Sequence, residues 1–248
     1  QAVTNLFSFF KFKKENILLK LYGSPALISI ASTQKDLKKI ILHIKAKEIT
    51  IKPQTQKQSG SSAMSFPIPI NCMVNIKKFT YDIYPLENVY LYSLLKGPLI
   101  NINKISIGFA GGSINGKGTI FLQQRTPKAH LLVQYSNIRV QSITKMTKKF
   151  QNRVFGFLNG KANLNLEVGP KMLDTMQGSL ILNVVKGKIS NTGIQSGLGI
   201  FLSELKYKLK DLEFNNIYGN FDINGHKYRI NSFIFNSQNI KLNLKGKL

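Results

Sequence analysis

Apolar and polar residues alternate along much of this chain, and one alternating unit occurs twice. The stretch Gly97–Ile120, GPLININKISIGFAGGSINGKGTI, overlays without a gap on Gly225–Leu248, GHKYRINSFIFNSQNIKLNLKGKL. Ile102 falls on Ile230, Asn103 on Asn231, Ile105 on Phe233, Ile107 on Phe235, Gly118 on Gly246 and Ile120 on Leu248. Each copy opens on a glycine and then alternates, with one interruption. Alternation at period two puts every apolar side chain on one face of a strand. A repeated unit of this kind predicts a sheet that grows by adding hairpins and acts through its surface.

The same reading extends on both sides of the repeat. Strands are predicted from Phe66 onward through Ile68, Ile70, Met73–Ile76, Thr80–Ile83, Val89–Leu95 and Ile100–Phe109. Leu131, Val133 and Tyr135 alternate, as do Leu164, Leu166 and Val168. Leu180, Leu182 and Val184 have apolar neighbours Ile181 and Val185, which predicts a strand covered on both faces. The dipeptides Asn115-Gly116, Asn159-Gly160 and Asn224-Gly225 are read as two-residue hairpin turns. Short helices are expected over Ile143–Val154, Gly197–Leu209 and Pro170–Met176. Nearer the N-terminus, Asn16–Ile30 is strand-rich and Leu42–Ile51 alternates up to a break at Glu48, while Thr33–Lys39 reads as a turn or short helix. Lys52–Ser65 is polar and reads as a flexible loop. It divides the chain into a β-rich segment, residues 1–65, and a larger region, residues 66–248. The expected class is mostly β: an antiparallel sheet with two or three short helices.

Composition adds charge to this picture. The formal net charge is +24, from 35 Lys and Arg against 11 Asp and Glu. Such an excess favours polyanions, including nucleic acid and acidic lipid headgroups. The lysines are spread along the chain, however, which also fits lysine used wherever a polar residue is needed. The single cysteine, Cys72, permits no internal disulfide and is expected to pack as a small apolar residue. No apolar run approaches the ~18–20 residues that span a bilayer. The start QAVTNLFSFFKFKKEN does not resemble a signal peptide, so the chain is expected to be a fragment or a mature product.

Candidate chemistry is sparse. Gly111–Lys117 has the GxxxxGK spacing of a phosphate loop, but Gly118 stands where Ser or Thr is needed, and strands flank it. His43, His130 and His226 are far apart and lack metal-ligand spacing. Glu167, Asp174, Glu204, Asp211 and Glu213 are acid–base candidates only by default. No enzyme, cofactor or metal is expected. Basic residues mix with aromatics in Phe9–Lys14 and Lys206–Lys210, as single-stranded nucleic-acid binders require. Those aromatics occupy apolar alternate positions, which disfavours nucleic acid as a partner. What remains is an apolar face that must be closed as core, covered, or offered to an apolar ligand.

The order of these signals resembles the AsmA-like family, in its C-terminal region. PIPINCMVNIKKFTYDIYPLENVYLYSLLKGPLININKISIGFAGGSINGKGTI carries the resemblance through Phe66–Ile70, Leu86–Val89, Lys96-Gly97 and Gly111-Gly112. It continues through FGFLNGKANLNLEVGPKMLDTMQGSLILNVVKGKISNTGI, Phe155–Ile194, and FNNIYGNFDINGHKYRI, Phe214–Ile230. The resemblance spans roughly Phe66–Leu248, with little from residues 1–65. It implies an elongated, curved antiparallel sheet, as an open U-shaped groove or incomplete barrel of the AsmA and TamB type. It also implies a location on the periplasmic side of the inner membrane of a diderm bacterium, with an anchor outside this chain. The implied role is to carry or shelter phospholipid acyl chains between membranes or in outer-membrane maintenance. Candidate lipid-binding residues are the alternating apolar positions of the repeat, Ile105, Ile107, Phe109, Phe233 and Phe235. Two alternatives stay open: an assembly protein that recognises other envelope proteins by sheet-edge pairing, and a basic β protein that binds nucleic acid or acidic surfaces.

Overall fold

The computed structural model describes residues 14–21, 24–32, 40–52, 65–122, 126–147, 153–169, 172–190, 211–238 and 240–247. They form strands β1 (Lys14–Leu21), β2 (Ser24–Ser32), β3 (Ile40–Ile51), β4 (Phe66–Tyr81), β5 (Tyr84–Gly97), β6 (Leu99–Phe109) and β7 (Gly112–Phe121). After these come β8 (Lys128–Arg139), helix α1 (Val140–Thr147), β9 (Val154–Glu167), helix α2 (Met172–Thr175) and β10 (Gln177–Ser190). β11 (Asp211–Asn224), β12 (Lys227–Asn236) and β13 (Lys241–Lys247) complete them. All thirteen strands join one sheet in chain order, and the sheet does not close into a barrel. Neighbours are antiparallel throughout, except that β3 and β4 run parallel, Ile44 beside Val74. The described strands before residue 66, β1–β3, thus share the sheet. The expected fold, a long mostly antiparallel sheet with short helices, is the observed one.

The repeat is structural. Gly97 and Gly225, which open the two copies, both sit at positive φ, 56° and 60°. In the first copy Ile102 pairs with Gly118 and Ile105 with Gly116, with a bulge between them. In the second Ile230 pairs with Gly246 and Phe233 with Leu244, again with a bulge between them. The interruption in each alternating pattern is therefore a β-bulge. It absorbs the extra residue and returns the next apolar side chain to the same face.

Several local expectations need correction. Asn115-Gly116 and Asn159-Gly160 lie inside β7 and β9, not in turns. The β6–β7 turn is Ala110–Gly111, at φ 50° and 77°, and the β11–β12 turn is Gly225–His226, one residue beyond the expected pair. Glycine at 160 serves a different purpose: an added Cβ would strike the Ile181 carbonyl and lie 2.5 Å from the Tyr135 hydroxyl. The first helix spans Val140–Thr147, and Val154 opens β9, where helix had been expected to continue. Residues 197–209, 33–39, 53–64, 9–13 and 206–210, on which other expectations fall, lie outside the described residues. No described element covers Ile181 and Val185, so the two-sided covering expected of that strand is not seen among the described residues.

Burial is one-sided. The buried strand side chains, from Ala26 and Ile40 through Leu166 to Phe214 and Phe235, fall on a single face. Eight of them gather in two clusters: Ala26, Ala46, Ile49 and Ile76 near one end of the sheet, and Val184, Leu212, Phe214 and Phe235 near the other. Among the described residues, extended contacts run between neighbouring strands and from the two helices to β9. Among the described residues no second sheet lies over that face, and the shielding comes from α1 and from side chains folded down on their neighbours. Tyr135 lies over Gly160, Phe214 over Gly187 and Phe221 over Gly219. Large residues laid over small ones curl the sheet with its apolar face inward.

Candidate functional site: the apolar face

Strand register turns thirteen separate alternations into one surface. Starting at Ile17 of β1, cross-strand partners run Ile28, Ile44, Val74, Leu91, Ile105, Gly116, Val133, Ala162, Leu180, Phe221, Ile230 and Gly246. One residue comes from each strand, and none is polar. A second row runs Ile107, Ile114, Tyr135, Gly160, Leu182, Gly219, Phe233 and Leu244. On the other side, Ile102, Gly118, Leu131 and Leu164 form a third. Strands stand ~4.8 Å apart, so the first row extends roughly 55–60 Å when measured along the sheet.

The residues between these positions face the opposite way and are mostly polar. Ser106, Asn115, Gln134 and Lys161 form one row of that face, and Lys117, Leu132, Asn163 and Ser179 another. The excess of lysine is therefore displayed on the outside, with the apolar strip inside.

The five residues expected from sequence all sit on the apolar face, but not in equivalent settings. Ile105 and Ile107 are half-buried in the middle of the sheet, between the two clusters. Phe109 is half-buried next to the β6–β7 turn, its ring 6.4 Å from that of Tyr84. Phe233 is half-buried, and Phe235 is only 3% exposed, its ring 5.7 Å from Phe214. The register adds residues that sequence reading did not single out, above all Leu91, Val133, Leu180 and Phe221. Leu91, Val133 and Leu180 lay in strands already expected and Phe221 in a segment noted only for its family resemblance, and cross-strand pairing was the missing signal.

The polar groups built into this face include a phenol and a thiol–hydroxyl pair. The Tyr135 hydroxyl donates to the Ile181 carbonyl at 2.8 Å, and burial pushes the phenol up to about 12. The Cys72 thiol is buried beside Ser93; desolvation raises its pKa, and a hydrogen bond with Ser93 partly offsets this. Both groups therefore stay neutral near pH 7, as an apolar surface requires. The helices border the strip at opposite ends of β9. Val140 of α1 packs on the Phe214–Phe235 cluster, and the Gln141 side chain accepts from the Gly156 amide at 3.4 Å. At the other end the Thr175 hydroxyl accepts from the Glu167 amide at 3.0 Å, and Asp174 meets His226 at 2.8 Å.

Other candidate chemistry stays dispersed. His43 lies 3.2 Å from the Met73 sulfur, and His130 is 2.8 Å from Asn163, so each histidine has a different neighbour. No metal-binding group of three or more residues occurs among the described residues. Gly116 and Lys117 of the GxxxxGK spacing lie within β7, where no helix follows to receive a phosphate. No described helix is long and apolar enough to cross a membrane.

Comparison with known proteins gives one match. The profile of the AsmA family aligns with residues 29–233, which begins well before Phe66 and takes in the end of β2 and all of β3. No curated protein and no solved structure matches the chain.

Proposed function

This chain belongs to the AsmA family, and from that premise we propose that its apolar face holds the acyl chains of phospholipids and guides them across the strands. The family has an envelope role in lipid transport or assembly in diderm bacteria. The observation that carries the reading is the row from Ile17 to Gly246, apolar at every strand. A closed core needs no such continuity, whereas a sliding chain would meet any charged residue as a barrier. Each methylene taken from water contributes about 0.8 kcal/mol. Many weak contacts spread over several strands would therefore hold a lipid without one anchoring residue. Ile105, Ile107, Phe109 and Phe233 line the strip, while Phe235 supports its floor from within the cluster. The site of action proposed is the periplasmic side of the inner membrane, where a lipid leaving one bilayer needs shelter from water.

Native mass spectrometry of the purified protein tests this directly. Bound phospholipid, or its stoichiometric uptake by delipidated protein from vesicles, is expected. Protein that stays free of lipid under both conditions would remove the reading.

A second reading, assembly with other envelope proteins by strand addition, draws on the edge strand β1, where Leu18 and Leu19 are 74% and 41% exposed. The opposite edge carries Lys241 and Lys245, residues that discourage strand addition. Leu18 lies on the polar face, opposite Leu27, so Leu18→Lys should then release a partner captured by cross-linking, and lipid content should not change.

A further inference from the structure

The polar face carries a hollow that acyl-chain binding does not use. It lies between β6 and β10 with a volume of about 630 Å³, lined by Lys117, Lys161, Asn115, Gln134, Asn163, Leu132 and Ile181 among others. Two neighbouring cross-strand rows build it. Asn115, Gln134, Lys161 and Ile181 stand in register in one, and Lys117, Leu132 and Asn163 in the next. Its lining includes no acidic residue. The ion pairs found among the described residues, Lys188–Asp211 and Asp174–His226, lie elsewhere.

We propose that this hollow binds an acidic saccharide, a short run of sugar rings bearing carboxylate or phosphate groups. Three features of the lining select that class. The two lysines supply point charges on strands two apart, roughly 10 Å across the sheet, a separation that suits charges on successive rings better than a single ion. Side-chain amides offer paired donors and acceptors, which match ring hydroxyls. Leu132 and Ile181 provide an apolar patch for the C–H face of a ring. The volume falls within the range of about 300–1,000 Å³ typical of organic ligands, far more than an inorganic anion fills. Nucleic acid is the poorer fit, since no aromatic side chain lines the hollow to stack a base. A second hollow on the same face, with Lys45, Lys47 and Lys77, is the weaker candidate because Glu48 and Glu87 flank Lys78 next to it.

Calorimetric titration with trigalacturonate at low salt tests the assignment. Saturable binding is expected, with maltotriose, which is uncharged, at least about tenfold weaker. Lys117→Gln and Lys161→Gln should each weaken binding about tenfold, the ratio carried by one charge-assisted hydrogen bond. Gln134→Ala with Asn163→Ala leaves every charge in place and should also weaken it. These side chains are exposed, so circular dichroism should show intact fold in each variant. Unchanged affinity in the double lysine variant would overturn the proposal. So would an amide variant that binds like the parent, or displacement by equimolar phosphate or tetrathymidylate, since each would mean attraction by net charge alone. Loss of lipid binding in an apolar-face variant should leave this titration unaltered, so the two readings can fail separately.

Discussion

Replacing Val133 with Glu tests whether the apolar row is a path. Val133 lies near the middle of the row, between Gly116 and Ala162, and is half-buried. Its small neighbours leave it standing above the floor, so a glutamate there would displace nothing and could keep its carboxylate hydrated. The cost to folding should stay below about 1 kcal/mol, as at other sites with free space. The cost to a passing lipid is larger. Strand spacing of ~4.8 Å places about three or four methylenes over β8. Loss of their contact, at ~0.8 kcal/mol each, comes to about 3 kcal/mol, or roughly a hundredfold in the rate of crossing. Seven strands precede β8 and five follow it, so lipid should still be held on either side. The assay is transfer of fluorescent phospholipid between donor and acceptor vesicles, with native mass spectrometry on the same samples. The expected result is transfer down about a hundredfold with lipid content nearly unchanged. Thr119→Glu adds the same charge to the opposite face and should transfer normally. Normal transfer by folded Val133→Glu, or equal loss in Thr119→Glu, would refute the reasoning.

Chemical denaturation should separate the glycines of this face: Gly160→Ala would push a methyl into the Ile181 carbonyl and Tyr135, costing more than about 2 kcal/mol. Gly246→Ala meets no heavy atom within 4 Å and should change stability by less than about 0.5 kcal/mol. Phe235→Ala should cost about 3–5 kcal/mol, because it empties a site beneath Phe214, whereas Ile105→Ala should lower lipid uptake at well under half that cost in stability. Tyr135 predicts a high-pH limit. Its folded pKa, about 12, lies above the ordinary 10.0, so its contribution is complete below pH 10 and is lost as pH rises toward 12. Tyr135→Phe should lose about 1 kcal/mol at pH 8 with the hydrogen bond to Ile181, and its stability should fall less steeply above pH 10.

The strands were legible because period-two alternation is local, and even the bulges of β6 and β12 showed as interruptions at Asn103 and Asn231. The site was legible only in part. Ile105 and Phe233 were found through the repeat, but Leu91 and Val133 become members of the same strip only through register with Ile105 and Gly116. Register is a relation between distant residues, and alternation within one strand leaves it open. Asn115-Gly116 and Asn159-Gly160 misled for a related reason. A glycine suits a tight turn and also a floor beneath a neighbour's side chain, and Tyr135, distant in sequence, decides the second. The parallel pairing of β3 with β4 was hidden by its connection. A parallel neighbour needs a crossover of about a dozen residues, and Lys52–Ser65, which has that length, looks like any polar linker.

Continuity of the row across so many strands demands accuracy of one residue, since a single slip turns a strand's whole apolar set outward. The bulges supply the correction. Asn88, Asn137 and Lys186, at φ 49°, 55° and 52°, each stand where one pairing register shifts: Glu87 to Tyr90, Tyr135 to Ile138, and Val185 to Lys188. Beyond each shift the apolar side chains resume on the inner face, as with Leu86 opposite Phe109 and Ile138 opposite Leu158. A bulge also bends its strand, so the device that restores parity adds to the curl of the sheet. Parity and curvature are thus set by the same few residues. That coupling explains how the described strands can hide much of an apolar face by their own side chains and leave the middle of it, around Ile105 and Val133, only half-buried.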